Sequence, residues 1–239
     1  MRVGIYGGSF NPVHYGHVNV ARQAVEELAL DRLYVVPANV SPFKTGADVA
    51  PDADALSFID RVESVRAAFA AVERAVVDER EIRRGGVSYA IDTVREIAAE
   101  CAGESQGGDV KLFFIIGEDS VEGLPRWRDY EELKRLCEFR SYPRTPESST
   151  EVRRRLAAGE PIDGLVPEAV ALFVKYGVKE SDDAKIVAAV RAGLVRKEGY
   201  CPCRLPKLPE FFCPCAEFRG QLADASYHGL CHCRLYVKP

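Results

Sequence analysis

The sequence predicts an α/β protein built on a parallel sheet, followed by a small second domain. Three observations carry this expectation. Strand-like and helix-like segments alternate through the first half of the chain. A glycine pair, Gly7-Gly8, lies between an apolar run and an amphipathic one near the N-terminus. Six of the eight cysteines fall within residues 201–233.

The expected strands are Arg2–Tyr6, Arg32–Pro37, Ala75–Val77 and Val110–Ile116. The expected helices are Val18–Leu30, Phe58–Val72, Ala90–Cys101 and Tyr130–Leu136. Ser148-Ser149-Thr150-Glu151 reads as another helix start, because its hydroxyls can cap and Glu151 favours the positive end of the dipole. A further helix is expected from Pro167 to Lys175, with proline at a favoured first-turn position. The polar stretch Tyr176–Lys185 reads as a linker, which divides the chain into residues 1–178 and 179–239. In parallel sheets ligands bind beyond the carboxyl ends of the strands. Gly7-Gly8 and Gly117-Glu118-Asp119 both follow strands, so they can face one pocket.

The 239 residues are 47% apolar, enough for a buried core. The net charge of −4 and a pI near 5.7 give no electrostatic case for a nucleic-acid partner. No run approaches the roughly 20 apolar residues of a membrane span, and residues 1–10 do not resemble a secretion signal. A cytoplasmic location is expected.

The stretch Gly7-Gly8-Ser9-Phe10-Asn11-Pro12-Val13-His14-Tyr15-Gly16-His17 carries the clearest chemistry. Glycines let backbone amides approach a phosphate, and the start of the following helix adds unpaired N–H groups and a positive dipole end. His14 and His17 are three residues apart, so on a helical turn they share a face. An isolated histidine pair is usually structural; the glycine turn before it and the helix behind it favour an anion cradle.

This stretch resembles the nucleotidylyltransferase signature with its H-x-G-H core. The resemblance narrows to the bacterial nicotinate-mononucleotide adenylyltransferases through further stretches in the same order. These are Pro42-Phe43-Lys44, Asp78-Glu79-Arg80-Glu81, Ser88-Tyr89-Ala90-Ile91-Asp92-Thr93, Ile116-Gly117-Glu118-Asp119-Ser120, Leu124-Pro125-Arg126-Trp127, Ser148-Ser149-Thr150 with Arg153, and Leu165-Val166-Pro167. It implies a Rossmann-like nucleotidylyltransferase domain over residues 1–178. The implied reaction is adenylyl transfer from ATP to nicotinate mononucleotide, giving deamido-NAD and pyrophosphate, with Mg²⁺ accompanying the triphosphate. By the same resemblance, Gly8, Ser9 and Phe10 contact phosphate and His14 and His17 stabilise the leaving group. Ser149, Thr150, Arg153 and Lys44 hold the triphosphate, Gly117 and Asp119 lie against the sugars, and Tyr89, Ala90 and Trp127 form the nicotinate pocket. The chain departs from that family between Leu136 and Ser148, where roughly one strand and its connection are missing.

The cysteines of the tail form three pairs, Cys201-Pro202-Cys203, Cys213-Pro214-Cys215 and Cys231-His232-Cys233. In a reducing compartment this density favours metal or redox chemistry over structural disulfides. A structural zinc site more often uses two to four residues between paired ligands and needs only four of them. Four thiolates for an iron–sulfur cluster and two for a redox pair fit the number better. The pattern resembles the catalytic chain of ferredoxin:thioredoxin reductase. That resemblance implies a small, mainly helical domain with a 4Fe–4S cluster on Cys201, Cys213, Cys215 and Cys231. It further implies a redox-active pair of Cys203 and Cys233, His232 as proton carrier, and a ferredoxin or thioredoxin-like partner. Two readings follow: a bifunctional fusion of adenylyltransferase and iron–sulfur disulfide reductase or redox sensor, or a redox protein whose nucleotide domain only binds.

Overall fold

In the computed structural model, residues 1–43, 58–105, 108–197 and 199–239 are described. Five parallel strands form the main sheet: β1 (Arg2–Gly8), β2 (Arg32–Pro37), β3 (Ala75–Val77), β4 (Lys111–Gly117) and β5 (Glu138–Tyr142). Their spatial order is β3-β2-β1-β4-β5. Every pairing is parallel, with Val3 opposite Arg32 on one side of β1 and Leu112 on the other.

Alternation along the central strands sorts the core into two layers, as a period of two requires. Leu33, Val35, Phe113 and Ile115 face one side. They pack against α1 (Tyr15–Glu27), α2 (Phe58–Phe69), α6 (Ser149–Ala157) and α7 (Glu168–Tyr176). Val3, Ile5, Tyr34, Val36, Phe114 and Ile116 face the other, under α4 (Ala90–Glu104) and α5 (Tyr130–Leu136). The short α3 (Arg80–Arg84) leads from β3 towards α4. Gly4 is required by close approach: a Cβ there would lie 2.6 Å from Leu30 Cδ1 and 2.8 Å from Leu33 Cδ1.

The strand order reverses between β1 and β4, which makes the carboxyl ends of these two strands a topological switch point. The glycine motif and Gly117 both emerge there. Strand β1 is longer than the sequence suggests, because Gly7 and Gly8 still pair with Val36 and Pro37. Strand β5 is not among the expected strands. It pairs with β4, Phe114 lying opposite Phe139, and it forms one edge of the sheet. Residues 143–147 then run from β5 to α6 without another strand, which matches the shortening seen in the sequence.

The tail departs from the mainly helical expectation. It contains α8 (Ala184–Arg196) and α9 (Ala216–Ala223), but also a three-stranded antiparallel sheet. Its strands are β6 (Lys179–Glu180), β7 (Gly229–Leu230) and β8 (Tyr236–Lys238), in the order β6-β8-β7. Thus part of the stretch expected as a linker is the strand β6, its Glu180 opposite Tyr236. Phe173 of α7, Val178, Val190, Phe218, Leu222, Leu235 and Tyr236 form a third apolar cluster with the cysteines. Among the described residues no helix is long and apolar enough to cross a membrane.

Candidate active site

The loop between β1 and α1 folds tightly over the end of the sheet. Phe10 takes a left-handed backbone conformation with φ of 45° and is buried. Its ring meets His17 edge-on at 4.9 Å and Phe69 of α2 at 5.7 Å. His14 precedes the first residue of α1 in extended conformation. The two imidazoles lie 3.7 Å apart, centroid to centroid. The backbone N–H of His14 donates to His17 Nδ1 at 3.2 Å. That bond places the proton of neutral His17 on Nε2, the nitrogen left to address a ligand. Burial lowers the proton affinity of both rings, taking His14 to about 4 and His17 well below the usual histidine value.

Helix α6 forms the opposite wall. Ser148 caps it by accepting from the Glu151 N–H at 3.1 Å. Ser149 Oγ donates to the Pro12 carbonyl at 2.9 Å, and Arg153 donates to the Asn11 carbonyl at 2.5 Å and to Thr150 Oγ1 at 3.3 Å. The expected phosphate-binding residues of both segments therefore meet, a basic side chain and a helix start being bonded to the loop that leads into the histidines. The 143–147 connection lies over Gly16, where a Cβ would come 2.2 Å from Thr145 Oγ1. Its Arg144 reaches Asp119 at 3.5 Å.

Gly117 ends β4, and Asp119 lies in the following 3₁₀ turn (Glu118–Arg126). Across the other sheet face, Tyr89 and Ala90 stand at the N-terminus of α4, where backbone amides lack helical partners. The Asn39 N–H donates to Ser88 Oγ at 2.8 Å, which ties this helix start to the end of β2. Trp127 rests edge-on against Phe114 at 5.5 Å and lies 6.3 Å from Phe43. The Arg128 guanidinium sits 4.7 Å above the Tyr89 ring. Lys44 lies outside the described residues.

Sequence reasoning did not single out Arg61, Arg144 or Arg128. Arg61, on α2, donates to the Ser9 carbonyl at 2.8 Å and to the Ala38 carbonyl at 2.6 Å. It thereby joins the ends of β1 and β2. No local pattern marks such an arginine, since its partners are backbone carbonyls distant in sequence.

In the tail, backbone bonds fold the cysteine pairs together. Tyr200 and Phe212 form an antiparallel bridge. Cys201 N–H donates to the Phe211 carbonyl at 2.8 Å and Cys213 N–H to that of Gly199 at 3.0 Å. Cys201 Sγ then lies 3.6 Å from Cys233 Sγ, and Cys231 Sγ 3.8 Å from it. The sulfurs of Cys201, Cys203 and Cys233 all fall within 4.8 Å of one another. Cys203 is exposed and Cys213 half-buried, while Cys201, Cys215, Cys231 and Cys233 are buried. Contact with the Cys233 thiol draws Cys201 and Cys231 down towards the thiolate, whereas burial pushes Cys213 and Cys215 up. His232 is exposed. His228 instead contacts the Pro239 carbonyl at 2.6 Å.

Comparison with known proteins matches residues 5–174 to the cytidylyltransferase-like family model, which ends before the cysteine pairs. A probable nicotinate-nucleotide adenylyltransferase of Chromobacterium violaceum is 33% identical over 214 residues, covering 73% of this chain and 96% of its own. One from Synechococcus sp. strain JA-3-3Ab is 38% identical over 172 residues, covering 72% of this chain and 77% of its own. In fold, the chain resembles the Plasmodium falciparum nicotinic acid mononucleotide adenylyltransferase complexed with NaAD. That match has a TM-score of 0.52 at 16% identity and covers 74% of this chain and 96% of the other. With the sheet topology, these matches show that the chain belongs to the nicotinate-nucleotide adenylyltransferase family of cytidylyltransferase-like proteins.

Proposed function

We propose that residues 1–178 transfer the adenylyl group of ATP to nicotinate mononucleotide, giving deamido-NAD and pyrophosphate, in the cytoplasm. One observation carries the reading: the close-set His14 and His17 follow a loop whose Pro12 and Asn11 carbonyls are bonded by Ser149 and Arg153 of the α6 start. A phosphate oxygen of the mononucleotide attacks the α-phosphorus of ATP. The bond from that phosphorus to the α,β-bridging oxygen breaks, and pyrophosphate leaves with the electron pair. No protein nucleophile takes part, so catalysis consists of positioning and charge stabilisation. Gly8, Ser9 and Phe10 hold the phosphates at the backbone. His17 Nε2 and His14 donate to the departing oxygens, and Arg153 with the α6 start neutralises their far side. Gly117 and Asp119 orient the sugars. The amides at Ala90 hold the nicotinate carboxylate, with Tyr89 and Trp127 framing the ring.

The donors around the motif are imidazoles, hydroxyls, amides and a guanidinium. They fit a Mg²⁺ ion that arrives on the triphosphate and keeps most of its waters, not one caged by carboxylates. The ion, when bound, offsets phosphate charge.

For residues 179–239 the thiols that converge are those of Cys201, Cys203 and Cys233, a set that fits a soft-metal or redox centre. The assignment of a 4Fe–4S cluster to Cys201, Cys213, Cys215 and Cys231 rests on the resemblance to the ferredoxin:thioredoxin reductase catalytic chain. The cluster supplies one-electron transfer when bound. The chain's own part is to keep Cys203 exposed and Cys233 beside Cys201 and Cys231, as a dithiol–disulfide pair open to a thioredoxin-like substrate. A ferredoxin is the electron donor in this reading, and His232 carries the proton.

Incubation with ATP, Mg²⁺ and nicotinate mononucleotide should release pyrophosphate. His17→Ala should lower that rate by about 10²–10³-fold, the range for loss of one charge-stabilising donor. Absence of pyrophosphate with both the nicotinate and nicotinamide mononucleotides would remove the activity. For the tail, anaerobically purified protein should be brown and contain iron and sulfide. Colourless protein with stoichiometric zinc would overturn the cluster.

A further inference from the structure

The thiol centre and the phosphate-binding motif are in contact with the same helix. Glu63 lies on α2, is 3% exposed, and accepts a hydrogen bond from Tyr236 OH at 2.7 Å. Arg191 of α8 pairs with the same carboxylate, and Arg66 approaches it at 3.7 Å. Tyr236 belongs to the tail, and its backbone N–H donates to Cys231 Sγ at 3.3 Å. Cys231 N–H in turn donates to the Tyr236 carbonyl at 2.8 Å. The turn that carries Cys231 and Cys233 is thus fastened directly to the residue that grips α2.

Two residues before Glu63, Arg61 holds the carbonyls of Ser9 and Ala38. Residues two apart on a helix point to opposite sides, about 200° around the axis. Helix α2 therefore has one side on the tail and the other on the motif. A second link runs about two turns further on. Phe69 packs on Phe10, and Phe10 packs on His17. Between α2, β3 and the tail lies an open cavity of about 920 Å³, lined by Arg66, Phe69, Arg191, Tyr200, Phe212 and Cys213. The tail meets α2 through these polar contacts and through the apolar cluster around Tyr236, and the cavity that Tyr236 also lines leaves space beside that contact for a small shift.

We propose that the tail regulates the adenylyl site through α2, with Glu63 as the positioning residue that passes on the state of the thiol pair. This rests on the adenylyl-transfer reading of the motif and adds to it a control input. In the dithiol state Cys233 contacts both Cys201 and Cys231. An external disulfide exchanges with Cys203 and Cys233: two protein thiols become one protein disulfide, and the external disulfide is reduced to two thiols. A covalent bond draws Cys233 towards Cys203 and replaces its contacts with Cys201 and Cys231. The 231–236 turn moves with it, Tyr236 moves on Glu63, and α2 resets Arg61 against Ser9. This gives the two states a differential contact, as a linked equilibrium requires.

The test uses the full chain and binding of α,β-methylene ATP by calorimetry, after anaerobic treatment with either dithiothreitol or oxidised glutathione. The two states of the unmodified chain should differ in Kd by about fivefold, the low end of ordinary site-to-site coupling. Tyr236→Phe and Glu63→Gln should each reduce that difference to less than about twofold while binding the analogue in the dithiol state. Two variants on opposite sides of the contact guard against one that misfolds. Equal Kd values in the two states of the unmodified chain, or variants that respond as it does, would overturn the proposal. Because the readout is nucleotide binding, a failure to use nicotinate mononucleotide is seen separately, in the pyrophosphate assay.

Discussion

His14 and His17 show how burial sets chemistry at a single position. Desolvation keeps both rings neutral, and Arg144 further disfavours a proton on His14 while Glu147 opposes this. In the unfolded chain a histidine takes up a proton near pH 6.5, but folded His14 does so only near 4. Between these values the unfolded state binds more protons, so stability falls as pH falls through that window. For His14 the loss approaches about 3 kcal/mol by pH 4. Urea midpoints at pH 7 and pH 5 should therefore separate, and His14→Gln should narrow the gap. Equal gaps in the two proteins would show that His14 is not the titrating group.

At the level of single elements, α6 illustrates how a cap serves a site. Ser148 fixes the first turn, and that turn aims Ser149 and Arg153 at the carbonyls of Pro12 and Asn11. Ser148→Ala should cost about 1 kcal/mol of stability and weaken ATP binding several-fold, measured by thermal melts and calorimetry. A variant with lowered stability but unchanged ATP affinity would separate the cap from the site. The start of α6 was legible in Ser148-Ser149-Thr150-Glu151, because side chains that cap are read directly from residue type. Strand β5 was not. Glu138-Phe139-Arg140-Ser141-Tyr142 has only one nearly buried position, Tyr142, since an edge strand needs no continuous apolar run. Lys179–Glu180 failed for a related reason: two polar residues form a strand only because Val237 and Tyr236 arrive from far along the chain to pair with them. Arg61 was invisible because its partners are carbonyls, which every residue carries. The motif residues, by contrast, were legible, because glycines before a helix with paired histidines are a local chemical pattern.

For the whole molecule, the shared helix α2 and the apolar contacts of Phe173 with Tyr236 join the tail to the nucleotide-binding half. Unfolding should then be a single transition. Fluorescence of Trp127, the single tryptophan, reports on the sheet and its helices, and thiol accessibility reports on the tail. The two curves should coincide in denaturant. Separate midpoints would mean that the halves are only loosely joined.

The Glu63–Tyr236 contact also dictates an order of assembly. Its two residues are separated by 173 positions. At about 5–20 residues per second, the ribosome has delivered every strand of the main sheet seconds before β8 appears. Until then β6 has no neighbour to pair with, and the carboxylate on α2 faces water. The nucleotide-binding half must therefore tolerate a provisional surface during synthesis. Glu63, charged and hydrated at that stage, keeps this face of α2 soluble until Tyr236 and Arg191 close over it.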